Sequence, residues 1–207
     1  DVAYAGLPYR LRRSMHLRVG EVLEHAPDRE VVSERLSTHF FEAGDHAKAW
    51  SYSRIAGDRA RHSFSYPEAL SLYDRALVAA RGAREVRPDE VAVVLEAKGD
   101  VAELAGLSRE AVDAYQRAKK LVRADPLRLA AITVKETRIH QRLGAFTTAV
   151  RITAHARSRL QSVGGAGAAA ERSRLASRIA VVNHLRSRHA DALRWSQVAV
   201  GADGFHS

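Results

Sequence analysis

Residues 99–118 read GDVAELAGLSREAVDAYQRA, and this stretch decides the fold because its small residues lie at informative offsets. A glycine at position 106 separates two helix-favouring segments, and alanines at positions 111 and 118 lie seven residues apart, on one face of a helix. The stretch therefore predicts two helices joined by a tight turn, with small side chains where the helices approach each other.

The same spacing recurs along the chain. The leading alanines of the pairs are Ala49, Ala69, Ala111, Ala149 and Ala192, and each has a second alanine seven residues later. The residues twelve positions before them are small: Ser37, Gly57, Gly99, Thr137 and Ala180. Five positions before the leading alanines lie Gly44, Phe64, Gly106, Gly144 and Ser187. Four of these residues favour turns, and Phe64 is the exception. Such self-similarity is typical of a repeat protein.

The repeats are unevenly spaced. The leading alanines are separated by 20, 42, 38 and 43 residues, so the helix near residues 46–63 is expected to belong to two hairpins. Helical periodicity and turn residues together predict about ten antiparallel helices and no strand. The predicted helices span residues 8–26, 29–43, 46–63, 67–82, 89–105, 108–124, 126–143, 146–162, 168–187 and 189–201. The predicted fold class is all-α, a right-handed superhelix of the α-solenoid type.

Composition excludes several kinds of site. The chain has 207 residues, of which 46% are apolar and 28% charged, and it contains no cysteine, which excludes disulfides, thiolate zinc sites and cysteine nucleophiles. No apolar run is long enough to suggest a membrane span, and no signal-peptide pattern opens the sequence. We therefore expect a cytoplasmic protein without a membrane partner. The first residue, Asp1, and the last stretch, from Gly201 to Gly204, lead us to expect a fragment of a longer polypeptide.

Charge is distributed unevenly. Residues 1–103 contain 15 Lys or Arg against 17 Asp or Glu, whereas residues 104–207 contain 18 against 7, which gives net charges near −2 and +11. Clustered positive charge attracts polyanions and acidic partners. The alternative interpretation, which we favour, is a solvated helix face.

The pattern of small residue, turn, alanine, aromatic and alanine, clearest in Gly99–Ala118, resembles the tetratricopeptide repeat. The long, irregular repeats are also similar to those that follow the ATP-binding module in bacterial signalling proteins, including large LuxR-class transcription regulators and class III nucleotide cyclases. Two segments carry this second resemblance, from Asp1 to Glu24 and from Phe40 to Ala49. The resemblance implies that residues 1–29 form a linker helix from a preceding domain and that residues 30–207 form the repeat domain.

The sequence offers no convincing catalytic or cofactor-binding motif. Residues 165–170, GAGAAA, match a relaxed dinucleotide motif, but a helix rather than a strand is predicted before them. No phosphate-binding loop, HExxH motif or nucleophile elbow is present, and His184 and His189, five residues apart, do not share a helix face well. We predict no enzymatic activity, no cofactor and no metal site.

Binding is the predicted function. Helical spacing from the small positions directs a set of polar residues on alternate helices towards an inner groove. These groove candidates are Arg54, Asp58, Arg61, Glu96, Asp100, Glu103, Arg138, Gln141, Arg174 and His184. Aromatic residues at 64, 66 and 73 could form a partner pocket, but core positions are the preferred interpretation.

Three function hypotheses follow. The leading one is a protein- or peptide-binding scaffold or sensor segment of a larger bacterial signalling or transcription-regulatory protein. The alternative is nucleic-acid or acidic-partner binding through the basic C-terminal half. The third is self-association through end helices that lack a polar cap.

Overall fold

A computed structural model describes residues 8–201, which contain ten α-helices and no strand. The helices are α1 Tyr9–Leu23, α2 Ser33–Ala43, α3 His46–His62, α4 Tyr66–Ala79, α5 Pro88–Leu104, α6 Ser108–Leu121, α7 Pro126–Arg142, α8 Phe146–Arg159, α9 Ala166–Leu185 and α10 His189–Gly201. The predicted number of helices is confirmed, and the predicted ends fall within four residues of those observed.

The helices form two compact units. The N-terminal unit, residues 8–107, contains α1–α5, and the C-terminal unit, residues 108–201, contains α6–α10. Within each unit, each helix packs against the next along the chain, and α9 also contacts α7. The linker predicted for residues 1–29 remains a prediction, and its first seven residues lie outside the described part, as do residues 202–207 at the other end. In the described part, α1 packs on α2, with Phe40 so close to Gly20 that a Cβ there would lie 2.9 Å from the ring.

The helix ends in front of the repeated alanines share one backbone conformation. Glycines 44, 106 and 144 have φ values of 71°, 77° and 70°, and Phe64 and Ser187 have values of 59° and 58°. After each of these residues, the next backbone N–H bonds to a carbonyl five residues earlier, as in Asp45 to Phe40 at 3.0 Å and Ser65 to Ala60 at 2.9 Å. This 6→1 bond, with a left-handed residue before it, is the Schellman motif.

Phe64, the apparent exception, therefore terminates its helix in the same way as the glycines do. The preferred placement of Phe64 in the core is wrong: its side chain is 76% exposed, and its ring lies edge to face with that of Tyr66, at 6.3 Å between centroids. The left-handed position places it at the helix end, outside the packed layer. Tyr73, by contrast, is fully buried, as predicted.

Residues sixteen positions apart meet where neighbouring helices approach most closely. Ser37 and Ser53 share a hydroxyl–hydroxyl hydrogen bond of 2.7 Å between α2 and α3, and Thr137 and Thr153 share one of 2.8 Å between α7 and α8. A Cβ on Gly57 would lie 2.8 Å from the Tyr73 ring, between α3 and α4. Because α3 provides both Ser53 and Gly57, it belongs to two hairpins, as the short spacing of 20 residues predicts.

Candidate binding surfaces

The predicted groove residues all lie on odd-numbered helices. The α3 residues are Arg54, Asp58 and Arg61; the α5 residues are Glu96, Asp100 and Glu103; the α7 residues are Arg138 and Gln141; and the α9 residues are Arg174 and His184. None is buried: Arg138, Arg174 and His184 are exposed and the others are half-buried. Their role as groove residues remains a prediction.

In the N-terminal unit, one of these residues binds the hydroxyl group of Tyr73 and the charges of two others act on it. The Tyr73 hydroxyl donates a 2.7 Å hydrogen bond to the Asp58 carboxylate. Burial and this bond raise the pKa of Tyr73, the negative charge of Asp100 raises it further, and the positive charge of Arg61 opposes both. The buried Tyr73 ring thus links a carboxylate of α3, by a hydrogen bond, to a hydroxyl that also experiences the charge of Asp100 on α5.

In the C-terminal unit, the positive charge of Arg138 on α7 acts on Arg178 of α9. Burial lowers the pKa of the Arg178 guanidinium, and the positive charge of Arg138 lowers it further. Arg178 is missing from the predicted groove residues, although it follows Arg174 by one helical turn and could have been found by that spacing. Arg174 forms a 2.8 Å ion pair with Glu171 of its own helix.

His184 lies at the end of this unit. The centroid of its ring is 5.4 Å from that of His189, edge to face, although the two residues do not share a helix face. They meet because the chain turns between α9 and α10 and places them on two helices. Residues 8–201 contain no group of three or more side chains suited to hold a metal ion.

A second surface in the C-terminal unit is a cleft with α6 and α8 as its rims and α7 as its floor. Its volume is about 490 Å³. The α6 rim carries Lys119, Lys120 and Arg123, and the α8 rim carries Arg151, His155 and Arg159. Sequence reasoning identified the positive charge of this half but not the cleft, because its residues come from three helices whose relative positions the spacing does not give.

The cleft floor contains a buried carboxylate. The side chain of Glu136 is 1% exposed and accepts hydrogen bonds from Gln116, at 3.1 Å, and from Lys119. His140 Nε2 lies 3.5 Å from the same carboxylate. Glu136 thus neutralises Lys119 and ties α6 to α7, while Leu129, Ile152 and Ala156 supply apolar lining.

Both terminal helices of the described region carry exposed apolar side chains. On α1 these include Leu11, Met15, Val19 and Val22; on α9 and α10 they include Val181, Leu185, Leu193 and Val200. No helix among residues 8–201 is long and apolar enough to cross a membrane.

Comparison with known proteins identifies the fold. No family model and no curated protein matches the sequence. Among solved structures, MamA is 11% identical, with 93% of this chain and 92% of that chain covered and a TM-score of 0.57. A putative kinesin light chain with TPR-like repeats from Podosopora anserina is 12% identical, with 97% and 99% covered and a TM-score of 0.63. YrrB, described as a TPR protein with an unusual peptide-binding site, is 17% identical, with 97% and 87% covered and a TM-score of 0.56.

These likenesses show that the chain has a tetratricopeptide-like helical repeat fold. The prediction of an all-α solenoid is confirmed. At identities this low, the likeness concerns the fold alone.

Proposed function

We propose that this chain is a non-enzymatic scaffold that binds a peptide segment of a partner protein. The observation that carries the proposal is the convergence of polar side chains from alternate helices within each unit. In one unit the Tyr73 hydroxyl binds Asp58 of α3 and experiences the charge of Asp100 of α5, and in the other the charge of Arg138 of α7 acts on Arg178 of α9. Side chains held by separate packed helices are positioned before a ligand arrives, which lowers the entropic cost of binding.

The groove candidates are the proposed ligand contacts. Half-buried charged side chains suit this role because their apolar stems pack while their charged ends reach a ligand. The description of YrrB as having a peptide-binding site supports a similar use of this fold. The wider context proposed here is a cytoplasmic sensor or scaffold segment of a bacterial signalling or transcription-regulatory protein, and its support is the sequence resemblance of residues 40–49.

Selection of peptides tests the proposal directly. The full chain is immobilised and a random 12-residue library displayed on phage is panned against it; enriched peptides are then titrated by fluorescence anisotropy. Replacing groove residues Arg61 and Arg138 by alanine should weaken binding about tenfold in total, since each removes a charged contact. The matched control, Arg81→Ala at an exposed position just after α4, should bind as the unaltered chain does. Failure to enrich any peptide over an unrelated helical protein contradicts the proposal.

The positive charge of the C-terminal half favours a second candidate function, binding of nucleic acid. Contacts to phosphates release counterions, so the affinity for generic duplex DNA would fall steeply with salt. Absence of binding at low salt removes this candidate.

The exposed apolar residues of α1 and α10 favour a third candidate, self-association through the end helices. Light scattering over a concentration series tests it, and a strictly monomeric mass contradicts it.

A further inference from the structure

We propose that the cleft between α6 and α8 is the docking site for an acidic peptide segment that carries an apolar anchor residue. This inference rests on the proposed scaffold function and assigns it a site and a partner chemistry. The site is separate from the predicted groove, since none of the groove candidates lines this cleft.

The cleft carries uncompensated positive charge on both rims. Glu136 is the one carboxylate among the described residues that line the cleft, and it is already engaged by Lys119 and Gln116. Lys120, Arg123 and Arg151 are exposed, and within residues 8–201 their side chains have no ion-pair partner. Cations on opposite rims therefore line one cleft whose described carboxylate, Glu136, is already bound to Lys119 and Gln116. A ligand carboxylate placed there gains from both rims, because walls of one charge sign focus the electrostatic potential in the space they enclose.

The spacing of basic residues along the α8 rim matches the repeat distance of an extended peptide. Arg151, His155 and Arg159 follow one another at intervals of four residues, which places them roughly 6 Å apart along the helix. Alternate residues of an extended peptide are roughly 6.6 Å apart and point to the same side. Acidic side chains two residues apart in an extended segment thus match successive positions of this row.

Hydrogen bonds hold the rims and the floor of the cleft together before a ligand binds. Arg159 donates a 3.1 Å hydrogen bond to the backbone carbonyl of Arg123, just beyond the end of α6. This contact joins the two rims at one end, and the bonds of Glu136 join α6 to the floor. The remaining cations, Lys120 and Arg151, are available to a ligand on a framework that is already assembled, which reduces the ordering cost of binding.

The lining favours a peptide over a nucleic acid. Leu129 and Ile152 offer an apolar surface that suits an aliphatic side chain. Among the described lining residues there is no Phe, Tyr or Trp on which a base could stack, and stacking on such residues supports binding of single-stranded nucleic acid. A segment with carboxylates on both sides of a leucine meets both features of the cleft.

Fluorescence anisotropy with the full chain tests the site. The probe is a fluorescein-labelled nine-residue peptide with a central leucine, three glutamates on each side of it and a serine at each end. Its neutral counterpart has glutamine at every glutamate position, and an oligothymidine with six phosphates provides the same charge without the peptide. The cleft variant is Lys120→Glu with Arg151→Glu. The control, Arg109→Glu with Arg186→Glu, changes the net charge equally outside the cleft lining.

We expect the cleft variant to weaken binding of the glutamate peptide by at least about tenfold, and the control by no more than about twofold, because screening limits the effect of distant surface charges. The glutamine peptide should bind at least about tenfold more weakly than the glutamate peptide, and the oligothymidine should also bind more weakly. A neutral variant, Lys120→Gln with Arg151→Gln, should give an intermediate loss, and thermal melts check that each variant folds.

Equal losses in the cleft and control variants overturn the inference, as does an oligothymidine that binds more tightly than the peptide. If phage-selected peptides bind but the glutamate peptide loses no affinity in the cleft variant, the docking site is wrong while the scaffold function stands. If no selected peptide binds at all, the scaffold function itself fails.

Discussion

The N-terminal and C-terminal units build the same helix contact from different side chains. At one such contact in the N-terminal unit, Gly57 makes room for the ring of Tyr73, and at another Ser37 and Ser53 share a hydroxyl–hydroxyl bond of 2.7 Å. In the C-terminal unit, the two positions with the same separation of sixteen residues are Thr137 and Thr153, which meet through their hydroxyl groups at 2.8 Å. The comparison teaches that the spacing sets where the helices meet, while the combined volume of the two side chains sets how the gap is filled.

The surfaces of the two units differ far more than their contacts do. Net charge is near −2 in residues 1–103 and near +11 in residues 104–207. Repeats that pack in the same way can therefore present surfaces of different charge, and binding is expected to depend on the surface of each unit.

The largest expected effect is the loss of Tyr73. Tyr73→Ala should reduce the free energy of unfolding by about 3–5 kcal/mol, because it empties a fully buried site beside Gly57. Tyr73→Phe keeps the ring and removes only the bond to Asp58, so its cost should be about 1–2 kcal/mol. Urea denaturation of both variants provides the measurement. Equal losses would mean that the hydroxyl, rather than the ring, stabilises this contact.

The corresponding change in the C-terminal unit should cost less. Thr153→Val should reduce stability by about 1 kcal/mol, because the Thr137 hydroxyl keeps its bond to the Thr133 carbonyl, 2.8 Å away. The double variant Thr137→Val with Thr153→Val should be no less stable than the single one, since a matched apolar pair leaves no polar group alone. Additive losses in a double-mutant cycle would contradict the pairing.

The left-handed helix ends provide one test in each unit. Phe64→Gly and Ser187→Gly should each stabilise the chain by about 0.5–1 kcal/mol, because glycine adopts positive φ without strain. Phe64→Ala keeps the strained backbone and removes the ring, so it serves as the control and should not stabilise. A loss of stability in both glycine variants would show that the five turns do not share one conformation.

The smallest effect is a pH dependence in the N-terminal unit. Burial lowers the pKa of His39, with contributions from His16 and Arg35, and His39 Nδ1 lies 3.0 Å from His16 Nδ1. As the pH falls, the unfolded chain therefore binds a proton at His39 at a higher pH than the folded chain does. The contribution of neutral His39 to the free energy of unfolding is thus present above about pH 6.5 and is lost as the pH falls below it. We expect Tm to fall by about 1–3 °C more between pH 7.5 and 5.5 than in His39→Gln. Exposed His62 provides the control: His62→Gln should keep the full decrease.

Ionised Glu24 also makes a contribution to stability that is lost as the pH falls, but at a lower pH than that of His39. Burial opposes its ionisation, but hydrogen bonds from Lys48, at 2.6 Å, and Tyr52, at 2.8 Å, lower its pKa below 4.5. Its stabilising contribution is therefore present above pH 4.5 and is lost as the pH falls through the lowered value.

The sequence predicts elements better than surfaces. All ten helices could be placed, because glycines 44, 106 and 144 and the prolines that begin α5 and α7 mark their ends locally. Phe64 could not be assigned correctly, since its backbone conformation follows from its place in the repeat and contradicts the preference of its side chain.

The binding surfaces needed the structure for a similar reason. A cleft between α6 and α8 depends on how three helices pack, and an error of one residue in a helix rotates its face by 100°. The row of Arg151, His155 and Arg159 was nevertheless readable as one helix face. The sequence does not show that α6 provides the opposite rim. It therefore does not predict that positive charges line both sides of one cleft.

Amide chemical-shift mapping of the full chain, labelled with ¹⁵N and titrated with the glutamate–leucine peptide, tests the central claim most directly. The account predicts that the shifts concentrate on α6 and α8 around Lys120 and Arg151, with Leu129 and Ile152 among the perturbed residues, and that the N-terminal unit is unaffected. Shifts concentrated on α3 and α5, or spread evenly over every basic residue of the C-terminal unit, would contradict it.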